Sequence, residues 1–435
     1  METKFIHAAD IHLDSPLTHL RRVDAKTAEQ LRSATRLSLE RVISAALQHN
    51  VAAVVIAGDL FDGPVEDASP CIWVESQLRQ LVRAGIAVVL IRGNHDALSS
   101  AHRVISWGEG ITEFGAATAE TLELPSAGLA IHGQSFAARA TTEDLAAGYP
   151  PARDGLFNIG ILHTSLGGSS QHDTYAPTST NVLESKSYDY WALGHIHARS
   201  AESLSDRTYI GYSGCTQGRN IRETGPKGCH LVTVTDGQLA SVEFVPTDSV
   251  RWFSMEVSLA SARVLGDVEE LVLNSVERLT CDNPGVNLAI RVSLCDATPI
   301  HSQLTTPGVI ESLSEVLADR MTRLGSVWLE KIKVNSRPLA TFDNDSIVQP
   351  LGYIERVSKA LKENEIAQAA LKAELDSMLK KMDAELLSGE DLDFAEKGRL
   401  FELVDRAEDL LVARLTQPEA PAAESSGETA TGAAQ

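Results

Sequence analysis

The sequence predicts an α/β protein, and three observations carry that expectation. Short Val- and Ile-rich apolar runs recur at residues 4–9, 52–57, 87–91, 158–162 and 188–193, each of strand length. The intervals 11–51, 60–85 and 97–128 are long enough for crossover connections, and the first two have helical periodicity. Every run ends in a short polar block, and in open α/β sheets functional groups collect beyond the carboxyl ends of the strands.

The blocks, in chain order, are Asp10-Ile11-His12, Gly58-Asp59, Gly93-Asn94-His95-Asp96, His163 and Gly194-His195-Ile196-His197. The i, i+2 spacing within Asp10/His12 and His195/His197 sends both side chains of each pair to one side of an extended chain. Gly58, Gly93 and Gly194 precede candidate ligands where the backbone has to turn sharply or let a metal come close. Together the blocks supply two carboxylates, one amide oxygen and several imidazoles, the mixture that a pair of catalytic divalent metals requires. Of the 13 histidines, five fall inside the blocks. His7, His19, His49, His102, His132, His172, His230 and His301 match no ligand pattern and are expected to be structural or surface residues.

This order of blocks resembles the calcineurin-like phosphoesterase superfamily, and most closely its DNA-repair exonuclease branch. Residues 1–14, Gly58-Asp59-Leu60-Phe61-Asp62, the Gly-Asn-His-Asp block and Gly194-His195-Ile196-His197 are similar to SbcD-like subunits. The stretch 211–228, from Gly211-Tyr212-Ser213-Gly214 through Arg219, Arg222 and Glu223 to Lys227, is similar to the YhaO-type subgroup in particular.

The resemblance implies a metallophosphoesterase β-sandwich flanked by helices. It implies one metal held by Asp10, His12, Asp59 and His197, with Asp59 bridging to a second metal held by Asn94, His163 and His195. A bridging carboxylate sets two cations about 3.5–4 Å apart, close enough to act on one phosphate, where an acidified water attacks phosphorus in line with the leaving oxygen. The ligand set contains no sulfur and does not select zinc. Relatives of the branch work with Mn²⁺, which is the expected cofactor. His95 is implied as general acid, oriented by Asp62, although some nuclease relatives have histidine at that position. Asp14 and Asp96 are left between a supporting role beside the ligands and a plain salt bridge or turn.

Composition fits a large cytosolic enzyme. The 435 residues, 43% hydrophobic, are enough for two or three domains. No signal-peptide pattern or membrane-length apolar run is found, so no membrane association is expected, and localisation is expected to be cytoplasmic and nucleoid-associated. Five cysteines without Cys-x-x-Cys spacing read as reduced thiols.

A formal charge of −21 opposes nucleic-acid binding at long range. A local cluster can override it: Arg199, Arg207, Arg219, Arg222 and Lys227 follow the His195/His197 block, and Arg139 and Arg153 precede His163. Arg199, Arg219, Arg222 and Lys227 are the candidate DNA-binding residues.

Four segments are expected: a metallophosphoesterase domain over 1–249, a small α+β capping domain over 250–347, a helical partner-binding segment over 348–416, and a disordered tail over 417–435. In the third, apolar positions from Leu361 through Leu371, Leu375, Met378, Leu379, Met382 and Leu386 recur at helical spacing. Gly389 then breaks the helix, and a second follows with Leu400, Leu403, Val404, Leu410, Leu411 and Leu415 on one face. These helices could close on each other as a hairpin. In SbcD-like subunits such helices grip the coiled-coil base of an SMC-type ATPase of the SbcC kind, and the resemblance also implies a homodimer. The tail is Ala-, Glu-, Ser-, Gly- and Thr-rich, with no aromatic residue.

The expected activity is therefore a Mn²⁺-dependent DNA phosphodiesterase, an exonuclease that also cuts single strands. The rivals are a phosphatase or cyclic-nucleotide phosphodiesterase using the same metals, and a non-enzymatic assembly subunit.

Overall fold

The computed structural model describes residues 2–17, 29, 31–63, 68–98, 107–167, 175–203, 205, 207–325, 327–339, 345–379 and 397–416. His19, His102, His172, the helix positions Met382, Leu386 and Gly389, and the tail 417–435 lie outside them.

The first half of the chain forms two six-stranded sheets. One has the order β12-β11-β1-β2-β3-β4, from β1 (Glu2–Ala8), β2 (Ala53–Ala57), β3 (Ala87–Ile91), β4 (Ile111–Glu113), β11 (Gly228–Thr235) and β12 (Gln238–Pro246). The other has the order β5-β6-β7-β8-β10-β9, from β5 (Glu120–Leu124), β6 (Leu129–Gly133), β7 (Phe157–His163), β8 (Tyr190–Gly194), β9 (Ser200–Ser203) and β10 (Tyr209–Tyr212). The neighbours β1–β2, β2–β3, β6–β7 and β7–β8 are all parallel. Their carboxyl ends therefore point the same way within each sheet.

The continuous apolar runs follow from strands covered on both faces. Along β2, Val54 and Ile56 pack with α1 (Ala34–Gln48) and α2 (Ser69–Arg83), while Ala53, Val55 and Ala57 join a second core. β3 divides in the same way, Val88 and Leu90 to the helix side and Val89 and Ile91 to the other. That second core also takes Phe157, Ile159 and Ile161 from β7 and Tyr190 and Ala192 from β8, so it is the filling between the two sheets. Each Val, Ile, Leu or Phe among them contributes about 1.5–3 kcal/mol on leaving water, which anchors the strand ends under a cluster of buried polar groups.

The chain divides into two compact units. The first comprises Met1–Met255, Leu273–Val292 and Ser314–Ile332, and the second Glu256–Val272, Ser293–Leu313 and Lys333–Gln435. Beyond β12, strands and helices alternate. β13 (Val250–Ser258), β14 (Asn287–Cys295) and β16 (Val327–Val334) form a three-stranded sheet, with α4 (Leu265–Asp282) and α6 (Val309–Arg323) between them in sequence; a short helix, α5 (His301–Leu304), precedes α6.

The terminal helices are α7 (Asp345–Glu363), α8 (Glu365–Leu379) and α9 (Lys397–Thr416). The expected helix that begins at Leu361 is instead interrupted at Asn364. Its side-chain oxygen accepts from the backbone N–H of Ile366 and Ala367 at 3.0 and 3.2 Å, which caps α8 and separates it from α7. In α9, Leu400 and Val404 are buried, whereas Leu410 is 60% and Leu411 48% exposed, so the predicted apolar face is only partly covered. Among the described residues no helix is long and apolar enough to cross a membrane. All five cysteines are among the described residues, and none forms a disulfide.

Candidate metal centre

The polar blocks meet where β1, β2, β3, β7 and β8 end. The chains leaving β1 and β2 stay bonded past the sheet: Asp10 N–H donates to the Gly58 carbonyl at 3.1 Å, His12 N–H to Asp59 at 3.0 Å and Leu13 N–H to Leu60 at 2.9 Å. Asp96 then ties the β3 end to the β2 end, its carboxylate accepting from the backbone N–H of Leu60, Phe61 and Gly93 at 3.1, 2.8 and 3.1 Å. Asp96 is thus a structural clasp beneath the site. Asp14 instead forms a two-pronged ion pair with Arg36, both contacts at 2.6 Å.

Asp10, His12, Asp59 and His195 all sit at positive φ (50°, 45°, 52° and 98°), a region L-residues avoid. Four strained residues in one cluster mark a site whose geometry is held by its surroundings. Two glycines permit the crowding. A Cβ on Gly93 would lie 2.2 Å from Asp59 Oδ1, and one on Gly58 would lie 2.5 Å from His163 Nδ1.

The side chains of the polar blocks converge. Asp10, His12 and His197 form one group of possible ligands, and Asp10, Asp59 and His163 another. Asp59 Oδ2 lies 3.8 Å from His12 Nε2 and 3.5 Å from His163 Nε2, so it stands between the two imidazoles. The Asp59 Oδ1 atom accepts from the His95 backbone N–H at 2.9 Å. Asn94 Oδ1 faces His163 Nε2 at 2.9 Å. The His195 ring stands edge-on to His163 at 5.3 Å between centroids, and its backbone N–H donates to both oxygens of Asp10 at 3.1 Å.

The donor set fits divalent cations. His12 Nδ1 faces Asp62 at 3.0 Å and His197 Nδ1 faces Glu223 at 2.6 Å, so both carry their proton on Nδ1. Their Nε2 atoms meet at 3.2 Å, so the two rings point at one spot. His163 repeats the pattern, with Nδ1 donating to the Ala57 carbonyl at 2.9 Å and Nε2 against an amide oxygen. Opposed acceptors of this kind are stabilised by positive charge between them.

Burial raises the Asp59 carboxyl to about 6, against the pull of the nearby His95, and raises Asp10 as well. Cations would offset the cost of keeping both ionised. The half-buried Asp62 resists burial through bonds from His12, His95 and Ser15, which hold it well below the usual carboxylate range. In return its hydrogen bond to His95 Nδ1, 3.0 Å long, raises the pKa of that imidazole. His95 is also 34% exposed. His95 thus combines access from solvent with a partner favouring its charged form, while His197, 26% exposed and raised by Glu223 and Asp10 against its burial, is turned toward His12.

The candidate DNA-binding residues divide. Arg199 and Arg222 are exposed, and the Arg199 guanidinium lies over the Phe244 ring at 4.4 Å. Lys227 is buried, with Nζ 3.4 Å from the His197 carbonyl. Arg219 turns into the centre, where it meets Asp62 and Ser15 at 3.3 and 3.1 Å. Glu223 had no role in the sequence reading. It lies 26 residues from His197, and no spacing rule links them; an acidic residue inside an arginine-bearing stretch was the available signal.

Fold and centre together define a metallophosphoesterase. Residues 3–199 match the calcineurin-like phosphoesterase family, and residues 252–337 match the middle domain of metallophosphoesterase YhaO. An uncharacterized metallophosphoesterase YhaO of Bacillus subtilis is 34% identical over 319 residues, which cover 73% of this chain and 77% of that protein. The chain belongs to the calcineurin-like metallophosphoesterases and carries the YhaO-type middle domain. More distant similarity extends to two proteins named DNA double-strand break repair protein Mre11. The one from Methanopyrus kandleri is 25% identical over 59% of each chain, and the one from Haloferax volcanii is 28% identical over 54% of this chain and 50% of its own. Family membership implies divalent metal ions, in agreement with the clustered carboxylates and imidazoles.

Proposed function

We propose that this chain is a Mn²⁺-dependent DNA phosphodiesterase, an exonuclease that also cuts single strands, and that it works with an SMC-type ATPase. The observation that carries the reading is the pairing of a converged Asp/His/Asn ligand cluster with one accessible, carboxylate-supported histidine, His95. Similarity to repair proteins named Mre11 supports DNA as the substrate.

Asp10, His12, Asp59 and His197 would hold one cation, and Asn94, His163, His195 and the shared Asp59 the other. Bound there, the ions neutralise phosphate charge and acidify a water. The protein's own groups do the rest. Asp62 keeps a proton on His95 Nδ1 and raises the proton affinity of the ring, so its Nε2–H can donate to the leaving oxygen as the phosphodiester breaks. Asp96 and the backbone bonds between the β1 and β2 ends fix the ligands without reorganisation. Arg199 and Arg222, exposed beyond β8 and β10, would contact the phosphate backbone, and Arg219 and Lys227 would add positive field from beneath. Tyr353 is 65% exposed, Ile366 83% and Leu410 60%, which gives α7–α9 apolar surface for an ATPase coiled coil. A homodimer and a cytoplasmic, nucleoid-associated location complete the proposal.

The second reading, a phosphatase or cyclic-nucleotide phosphodiesterase, is favoured by the charge of −21. Both are tested by incubating end-labelled linear and circular DNA with purified protein in Mn²⁺, Mg²⁺ or chelator, beside Asp59→Asn and beside an aryl phosphodiester. Metal-dependent shortening of linear DNA that Asp59→Asn lacks supports the nuclease. Turnover of the aryl ester with DNA untouched, even with the candidate ATPase added, favours the small-substrate reading.

A further inference from the structure

We propose that Arg219 and Glu223 form a positioning bridge that locks the ligand imidazoles of His12 and His197 and the acid His95 into one register. Glu223 Oε1 accepts from His197 Nδ1 at 2.6 Å, while its Oε2 accepts from the Arg219 backbone N–H at 2.6 Å. The guanidinium of Arg219 lies between two carboxylates, with Nη2 3.7 Å from Glu223 Oε1 and Nη1 3.3 Å from Asp62 Oδ1. Asp62 Oδ1 in turn is 3.0 Å from both His12 Nδ1 and His95 Nδ1. Three imidazoles whose residues are separated by up to 185 positions are therefore held by one carboxylate–guanidinium–carboxylate chain.

The Arg219–Glu223 half of the bridge is enclosed. The side chains of Arg219 and Glu223 are only 15% and 9% exposed, too enclosed for a surface salt bridge that water would screen. The loop that carries them is pinned from below. Gln217 accepts from the backbone N–H of Ser249 and Val250 at 2.8 and 3.2 Å, and Trp252 Nε1 donates to the Gly218 carbonyl at 2.9 Å. A Cβ on Gly218 would stand 2.8 Å from the Glu223 carbonyl, so the turn closes only around glycine.

The consequence is chemical. A carboxylate on Nδ1 fixes the tautomer whose Nε2 lone pair faces the metal and makes that nitrogen a better donor. Arginine suits the bridge because its planar fork reaches two acceptors at once, whereas a lysine offers a single point of charge. Arg219 also keeps Asp62 and Glu223 from moving apart, and so holds the His95 ring in register with His197, which would bind a cation.

This inference rests on the two-metal reading, and the experiment separates the two. Mn²⁺ is titrated calorimetrically into wild type, Asp59→Asn, Glu223→Gln, Glu223→Asp and Arg219→Lys, with thermal melts to confirm folding. The wild type is expected to bind two ions. Glu223→Gln should weaken one of them about 10- to 100-fold, Glu223→Asp should recover part of the loss, and Arg219→Lys should fall between. Histidine-selective ¹⁵N NMR of the metal-free wild type should report His197 protonated on Nδ1, a readout that does not depend on any variant folding. Wild-type affinity in Glu223→Gln, or His197 protonated on Nε2 but not on Nδ1 in the wild type, would overturn the bridge. A wild type that binds no Mn²⁺, or Asp59→Asn that binds like it, would instead remove the two-metal reading beneath it.

Discussion

His12 and His197 face each other through their Nε2 atoms at 3.2 Å, and each ring is turned to that position by a carboxylate on its Nδ1, Asp62 for His12 and Glu223 for His197. Two imidazole nitrogens aimed at one point, each ring backed by a carboxylate, mark a place where a cation can be held.

The first expectation concerns Asp59, which stands between His12 and His163. Asp59→Asn should abolish metal-dependent hydrolysis while the chain stays folded, because both cations lose a shared anionic ligand. His95→Gln should leave the ligands in place and lower kcat by about 10²- to 10⁴-fold, the usual contribution of a general acid. Steady-state kinetics with circular dichroism checks both, and wild-type turnover in either variant would refute the site.

The pH dependence follows from the direction of the His95 shift. Its hydrogen bond to Asp62 raises its pKa above the ordinary 6.5, so the acid stays protonated further into the alkaline range. Activity that needs this proton is present below the raised pKa and lost as pH rises through it. Asp62→Asn should move the alkaline limb of the kcat profile to lower pH. An unmoved limb would mean another group supplies the proton.

Much of this centre was legible in the sequence because strand ends and ligands coincide. Val54, Val55 and Ile56 give an apolar run only because β2 is covered on both faces, and a run that stops at Gly58-Asp59 announces both the strand and its functional end. The links between blocks were not legible. Glu223 reaches His197, and Arg219 reaches Asp62 across 157 positions, only after the two sheets have packed. Lys227 read as a cation for phosphate, yet the fold buries its ammonium beside the His197 carbonyl. Asn364 leaves no mark in the pattern, because a single capping residue keeps the helical spacing of apolar residues on either side unchanged.

Gly93→Ala tests the crowding. The added methyl would lie 2.2 Å from Asp59 Oδ1 and 2.7 Å from His163 Cε1, with the carboxylate unable to withdraw without leaving the site. We expect loss of Mn²⁺ binding and a stability cost of about 1–3 kcal/mol, read by calorimetry and urea unfolding. Normal metal binding would show that the β3 end can move.

A separate effect comes from the core. His230 is buried beside Tyr190, whose hydroxyl lies 3.2 Å from His230 Nδ1 and 3.1 Å from His7 Nδ1. Burial, with help from Arg199, lowers His230 from 6.5 to about 4, and burial lowers His7 as well. A depressed folded-state pKa means that stability is complete above pH 6.5 and is lost as pH falls toward 4, by about 3 kcal/mol for a shift of this size. His230→Gln should flatten that part of the stability curve in urea titrations between pH 7.5 and 4.5. An unchanged slope would assign acid sensitivity to other groups.

The most direct test of the account is anomalous diffraction at the manganese edge from crystals grown with Mn²⁺. Two peaks about 3.5–4 Å apart, with Asp59 between them and His12 and His197 on one, His163 and His195 on the other, are the expected result. A single peak, or manganese bound away from Asp59, would contradict a dinuclear centre in this chain.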